Sequence, residues 1–131
     1  MATEKGPVII DGEHLTLEDL VDVARHGRPV HVPEAVLRKV DENRRLLEEK
    51  VIKAGRACYG ITTGLGALCR VLLRPEEARK LQENLVLSHS CAVGQPLPTE
   101  VVRAMLLLRA NTLAKALSGV RCEVVLKLVE L

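Results

Sequence analysis

Aromatic side chains are almost missing from this 131-residue sequence: there is no Phe, no Trp and a single Tyr, Tyr59. The interior must therefore be built from Leu, Val, Ala and Ile, within a hydrophobic content of 47%. The same lack removes any base-stacking surface. Nineteen Lys and Arg against seventeen Asp and Glu, a net charge of +2 with the signs interspersed, make no basic footprint. Nucleic acid is therefore not expected as a partner. The four cysteines, Cys58, Cys69, Cys91 and Cys122, form no C-x-x-C pair, and their spacing fits no zinc pattern. The expectation is reduced thiols, no metal and a cytoplasmic chain. No basic region leads into an apolar run at M-A-T-E-K-G-P, so no secretory signal is expected. Arg103, Arg109 and Lys115 interrupt the most apolar region, so no membrane span is expected either.

What is present reads as mainly α, in one segment over 1–131, with one short strand at 8–10. Val8-Ile9-Ile10 is a β-branched triplet ahead of the turn dipeptide Asp11-Gly12. Thr16 and Asp19 form a T-x-x-D start signal for a helix over 17–26, stopped by Gly27. Pro33-Glu34 opens a second helix over 34–54, with a stripe of Val36, Val40, Leu47 and Val51. Its other side carries Lys39, Glu42, Arg45, Glu48 and Glu49 and reads as a solvated face. Pro75-Glu76-Glu77 repeats the start chemistry for a helix over 75–88, with Leu81 and Leu85 inward. After the break at Gly94 to Pro98, a helical pattern over 99–131 runs on with only Gly119 interrupting it. Apolar residues surround most of that helix, and V-V-L-K-L-V-E-L carries no stop signal. The expectation is a part that needs the rest of a structure, covalent or as a partner.

Cys58 to Gly66, C-Y-G-I-T-T-G-L-G, has no helix period and a loop of 58–73 is expected around it. Two readings stand side by side. Tyr59 is the hydrophobic anchor of a surface loop, or Gly60, Gly64 and Gly66 let its hydroxyl close over a substrate. A phosphate-cradling loop is excluded, because G-I-T-T-G-L-G has no Lys and does not open a helix. A Cys91–His89 nucleophile pair is rejected on its poor geometry at a helix end.

Three stretches in order resemble the aromatic amino-acid ammonia-lyases, above all the histidine-specific members. Y-G-I-T-T-G-L-G (59–66) resembles the loop Y-G-[IV]-N-T-G-F-G, and L-Q-E-N-L-V-L-S-H-S (81–90) resembles a helix reading L-Q-x-N-L-x-x-S-H. V-R-A-M-L-L-L-R-A-N-T-L-A-K-A-L-S-G-V-R (102–121) resembles the helix leading toward the catalytic core. The departures are Thr62 for Asn, Leu65 for an aromatic, Ala92 for Gly and Ala116 for Gly.

The resemblance implies the first part of a helical-bundle enzyme that eliminates ammonia from L-histidine to give urocanate. Tyr59 matches the loop base, and Ser88 and His89 match the pair facing the substrate side chain. Asn84 and Asn111 match family positions too and read first as structural hydrogen-bonders. The family's electrophilic prosthetic group, 4-methylideneimidazole-5-one, forms from Ala-Ser-Gly, a tripeptide found nowhere in these 131 residues. The implied partners are a C-terminal lyase segment carrying that tripeptide, further copies in a homo- or hetero-oligomer of tetramer type, and a small amino acid. The rival is a non-catalytic helical oligomerisation module, a remnant of such a lyase.

Overall fold

A computed structural model describes residues 5–131, which fall into two compact units. One comprises the residues up to Arg45 together with Pro96–Leu131; the other is Leu46–Gln95.

The first unit begins with β1, Val8–Ile9. Helix α1, Leu17–His26, starts with a capping box in which the Thr16 hydroxyl accepts the Asp19 N–H and the Asp19 carboxylate accepts the Thr16 N–H. Gly27 ends it in the left-handed conformation. Strand β2, Val30–His31, then pairs in parallel with β1, Val8 opposite Val30 and Ile9 opposite His31. The single expected strand is thus one side of a β–α–β pair. A two-residue strand, in a stretch of three between Pro29 and Pro33, is too short to show any periodicity in the sequence.

Helix α2, Glu34–Leu47, buries Val36 and Val40 and continues as a π-helical turn over Glu48–Ile52 before Gly55. Lys39, Glu42, Arg45 and Glu49 lie exposed. The helix expected over 99–131 is two helices, α4 (Thr99–Ala114) and α5 (Cys122–Glu130), with α3, Pro75–His89, preceding them in the second unit. Ala116 and Gly119 take positive φ, +58° and +63°, between the two helices, and tertiary bonds hold the break. Gly119 N–H donates to Asn43 Oδ1 at 2.7 Å, and Gly119 C=O accepts from Arg44 at 3.2 Å. Side chains of α2 thus take backbone groups that an unbroken helix would use within itself. S-G-V-R lies in this turn and at the start of α5.

Helix α1 packs on α4, and α4 on α5. The core joins Val8, Ile10, Val32, Val36, Val40, Leu107, Leu113, Ala114 and Val125, all aliphatic. Asn111 acts as a structural hydrogen-bonder there: its Oδ1 accepts from Gly12 N–H at 2.9 Å. Among the described residues no helix is long and apolar enough to cross a membrane.

Candidate functional site

The second unit has almost no apolar interior. Its buried residues are Thr62, Thr63 and Gly64, and the chain around them is held by hydrogen bonds. Cys58 C=O accepts from Ile61 N–H at 3.1 Å and from Thr62 N–H at 3.0 Å, closing a turn with Tyr59 and Gly60 at its centre. Gly60 has φ +70°, which the third position of a type II turn requires. Thr62 Oγ1 accepts from Cys58 N–H at 2.8 Å and donates to Arg56 C=O at 2.5 Å. Farther on, Gly64 N–H donates to Val71 C=O and Leu73 N–H to Thr62 C=O, pairing Thr63 with Leu72. Gly64 answers a steric demand, since a Cβ there would stand 2.6 Å from Leu68 Cβ.

This frame presents Tyr59 outward, 63% exposed, with its phenol oxygen accepting Gly66 N–H at 3.4 Å. Leu65, in place of the family's aromatic, lies against Gly60 and is half-buried. The turn is also tied to α3. Gln82 Nε2 donates to Gly60 C=O at 3.2 Å.

Helix α3 starts at Pro75, with the Glu77 carboxylate accepting Arg74 N–H at 2.9 Å. Ala78, Leu81 and Leu85 form its half-buried side, whereas Val86 and Leu87 are exposed. His89 is its last residue. The His89 Nδ1 lies 3.0 Å from Leu85 C=O and 3.0 Å from Ser88 Oγ. A carbonyl only accepts, so Nδ1 carries the proton and, in the neutral ring, Nε2 is left as an acceptor. Ser88 donates its own hydroxyl to Leu85 C=O. Ser88 thus orients the ring, and His89 faces outward. Gln82 and His89 are seven residues apart, so they share a helix face about 10 Å apart along the axis. The Tyr59 turn and the His89 ring therefore belong to one side of α3.

The family described as aromatic amino acid lyase matches over residues 15–131. This chain belongs to that family. It is 49% identical over 124 residues to a histidine ammonia-lyase of Caldanaerobacter subterraneus, covering 95% of this chain and 24% of that one. A histidine ammonia-lyase of Streptococcus sanguinis is 45% identical over 122 residues, again covering 24% of its length. Among solved structures, the tyrosine aminomutase of Streptomyces globisporus superposes with TM-score 0.88 at 35% identity, covering 95% of this chain and 23% of that one. The histidine ammonia-lyase of Trypanosoma cruzi gives 0.80 at 34%, with the same coverage. The chain spans about a quarter of the length of the curated relatives it matches.

The L-Q-x-N-L-x-x-S-H pattern contains Gln82 but gives it no role; its bond to Gly60 ties the Tyr59 turn to α3. The loop pattern treated Thr62 only as a departure, and its double hydrogen bond has no signature in a linear motif. Cys91, beside His89, directs its sulfur at Ser88 C=O, 3.7 Å away. Cys122 donates to Leu37 C=O at 3.1 Å and to Asp41 at 3.2 Å. Burial, followed by the Asp41 carboxylate, pushes its thiol up to about 11. A groove of about 260 Å³ in the first unit, lined by Val23, Val30, Leu106 and Leu128, contains neither Tyr nor His. Among the described residues no cluster of His, Cys, Asp or Glu could hold a metal ion.

Proposed function

We propose that this chain supplies the proton-accepting loop and part of the substrate pocket of a histidine ammonia-lyase-like carbon–nitrogen lyase. What supports this reading is that Gln82 of α3 bonds the Tyr59 turn at Gly60 and that Gln82 and His89, seven residues apart, share a face of that helix. Eliminating ammonia breaks the Cβ–H and Cα–N bonds of an α-amino acid. The Cβ–H pair becomes the new C=C bond, the nitrogen leaves with its own pair, and the Cβ proton needs an acceptor. In this reading the phenol oxygen of Tyr59 is that acceptor. His89 Nε2 accepts the N–H of the substrate's imidazole, which favours histidine over substrates lacking that donor. Ser88 and Leu85 keep the His89 ring turned so that Nε2 is available.

In complete family members 4-methylideneimidazole-5-one provides the electrophile that makes the amine a leaving group. Its Ala-Ser-Gly precursor is absent from this chain, whose residues therefore cannot form it. The relatives named histidine ammonia-lyase support the substrate assignment.

The test is Tyr59→Phe in the lyase assembled with the polypeptide that carries Ala-Ser-Gly, followed by urocanate absorbance, with this chain alone as the inactive control. Turnover should fall about 10²–10⁴-fold with little change in melting temperature. His89→Leu should weaken histidine use more than it lowers assembly. If Tyr59→Phe left turnover intact and destabilised the fold, Tyr59 would be a packing anchor and the proposal would fail.

A further inference from the structure

One of the two positions where this chain departs from its family's loop pattern, Thr62, is also the one that holds the tyrosine turn. Around it, Arg56, Ala57 and Cys58 belong to no regular element, and Arg56 and Ala57 are exposed. Thr62 reaches back to them from a buried position, 9% exposed. Its hydroxyl accepts Cys58 N–H and donates to Arg56 C=O, its N–H donates to Cys58 C=O, and its C=O accepts from Leu73. Every polar group of the residue is thus engaged. The neighbouring Thr63 hydroxyl reaches only carbonyl oxygens, Cys58 at 3.4 Å and Gly64 at 3.1 Å, so it can donate there but cannot hold an N–H.

We infer that Thr62 is a positioning residue for Tyr59, its hydroxyl fixing the foot of the turn from which the phenol is presented. This rests on the reading of Tyr59 as the proton acceptor. The chemistry required at residue 62 is one acceptor and one donor on a short arm. A hydroxyl provides both, and so does the side-chain amide of the Asn in the family pattern. Thr for Asn is therefore a substitution that keeps the function of the position. Valine has the shape of threonine but neither group, and would leave Cys58 N–H and Arg56 C=O without this partner.

The experiment compares Thr62→Val, Thr62→Ser and Thr62→Asn in the assembled lyase, with Thr62→Val repeated on the Tyr59→Phe background. Thr62→Val should lower kcat by about 10–10²-fold, the scale of a misplaced catalytic group, and leave KM for histidine within about threefold. Thr62→Ser and Thr62→Asn should stay within about fivefold of the parent enzyme. On the Tyr59→Phe background Thr62→Val should cost less than about twofold, because nothing is left to position. Amide exchange at Cys58 in the chain alone should accelerate for Thr62→Val and not for Thr62→Ser. Unchanged kcat in Thr62→Val, equal loss in Thr62→Ser, or the full loss on the Tyr59→Phe background would overturn the inference. So would failure of Thr62→Val to assemble when Thr62→Ser assembles, since the residue would then support the fold and not the tyrosine. The underlying reading fails separately, if Tyr59→Phe itself retains turnover.

Discussion

Ala116 is the only described non-glycine residue with positive φ, +58°, and it stands where the family pattern has Gly. A Cβ in the left-handed region costs about 1–2 kcal/mol, whereas Gly adopts it freely and loses more chain entropy on folding. Ala116→Gly should therefore raise stability by about 0.5–1 kcal/mol, read as a higher denaturant midpoint at unchanged slope. A lower midpoint would mean that contacts of the Ala116 methyl outweigh the strain. Ala92, the other alanine at a family Gly position, has no positive φ and carries no such strain. Two departures of the same kind thus have different consequences, and backbone conformation distinguishes them.

At the scale of elements, α1 and the segments flanking it are joined by charge. Asp19 accepts from Arg28 at 2.8 Å, Asp22 from Lys5 at 2.9 Å, and Arg25 reaches Glu100 of α4 at 2.8 Å. The Thr16 hydroxyl, followed by Arg28, holds the Asp19 carboxyl below the usual range, and Lys5, followed by Arg28, does the same for Asp22. Lowered folded values mean stability that is present above about pH 4 and lost as pH falls through them. His14 shifts the other way, raised by its 2.6 Å contact with Asp11. Its contribution is full below about pH 6.5 and is lost as pH rises through the folded value. Melting temperature should therefore be highest between roughly pH 4 and 6.5, with an acid limb that becomes shallower in Asp19→Asn. An acid limb unchanged by Asp19→Asn would remove that carboxylate from the account.

Over the whole molecule, the aliphatic composition leaves much apolar surface outside the core. Met105 is 57% exposed, Leu108 48% and Leu126 46%, and Val86 and Leu87 of α3 exceed half exposure. Exposed apolar side chains in such number, present in each of the two units taken by itself, favour association. At about 1.5–3 kcal/mol per buried large side chain, covering several of them outweighs a typical cost of association. The purified chain should therefore self-associate at micromolar concentration. Light scattering that reports a compact 14.4 kDa monomer would contradict this.

The sequence by itself determined what depends on near neighbours. The Thr16–Asp19 box, the Gly27 stop, Pro75 at the start of α3 and the aliphatic core follow from residue types a few positions apart. So do the motifs that tie the chain to its family. Only the tertiary structure decided the rest. The break between α4 and α5 depends on Asn43 and Arg44 meeting Gly119, 76 and 75 positions away. Gly12 is held by Asn111 across 99 positions, and the Tyr59 turn meets α3 through Gln82 across 22. Periodicity and capping rules register interactions within about one helical turn. A linear pattern can mark one partner, as it marks Gly119, but not the residue that folding brings to it, and here such bonds hold the helix break and tie the tyrosine turn to α3.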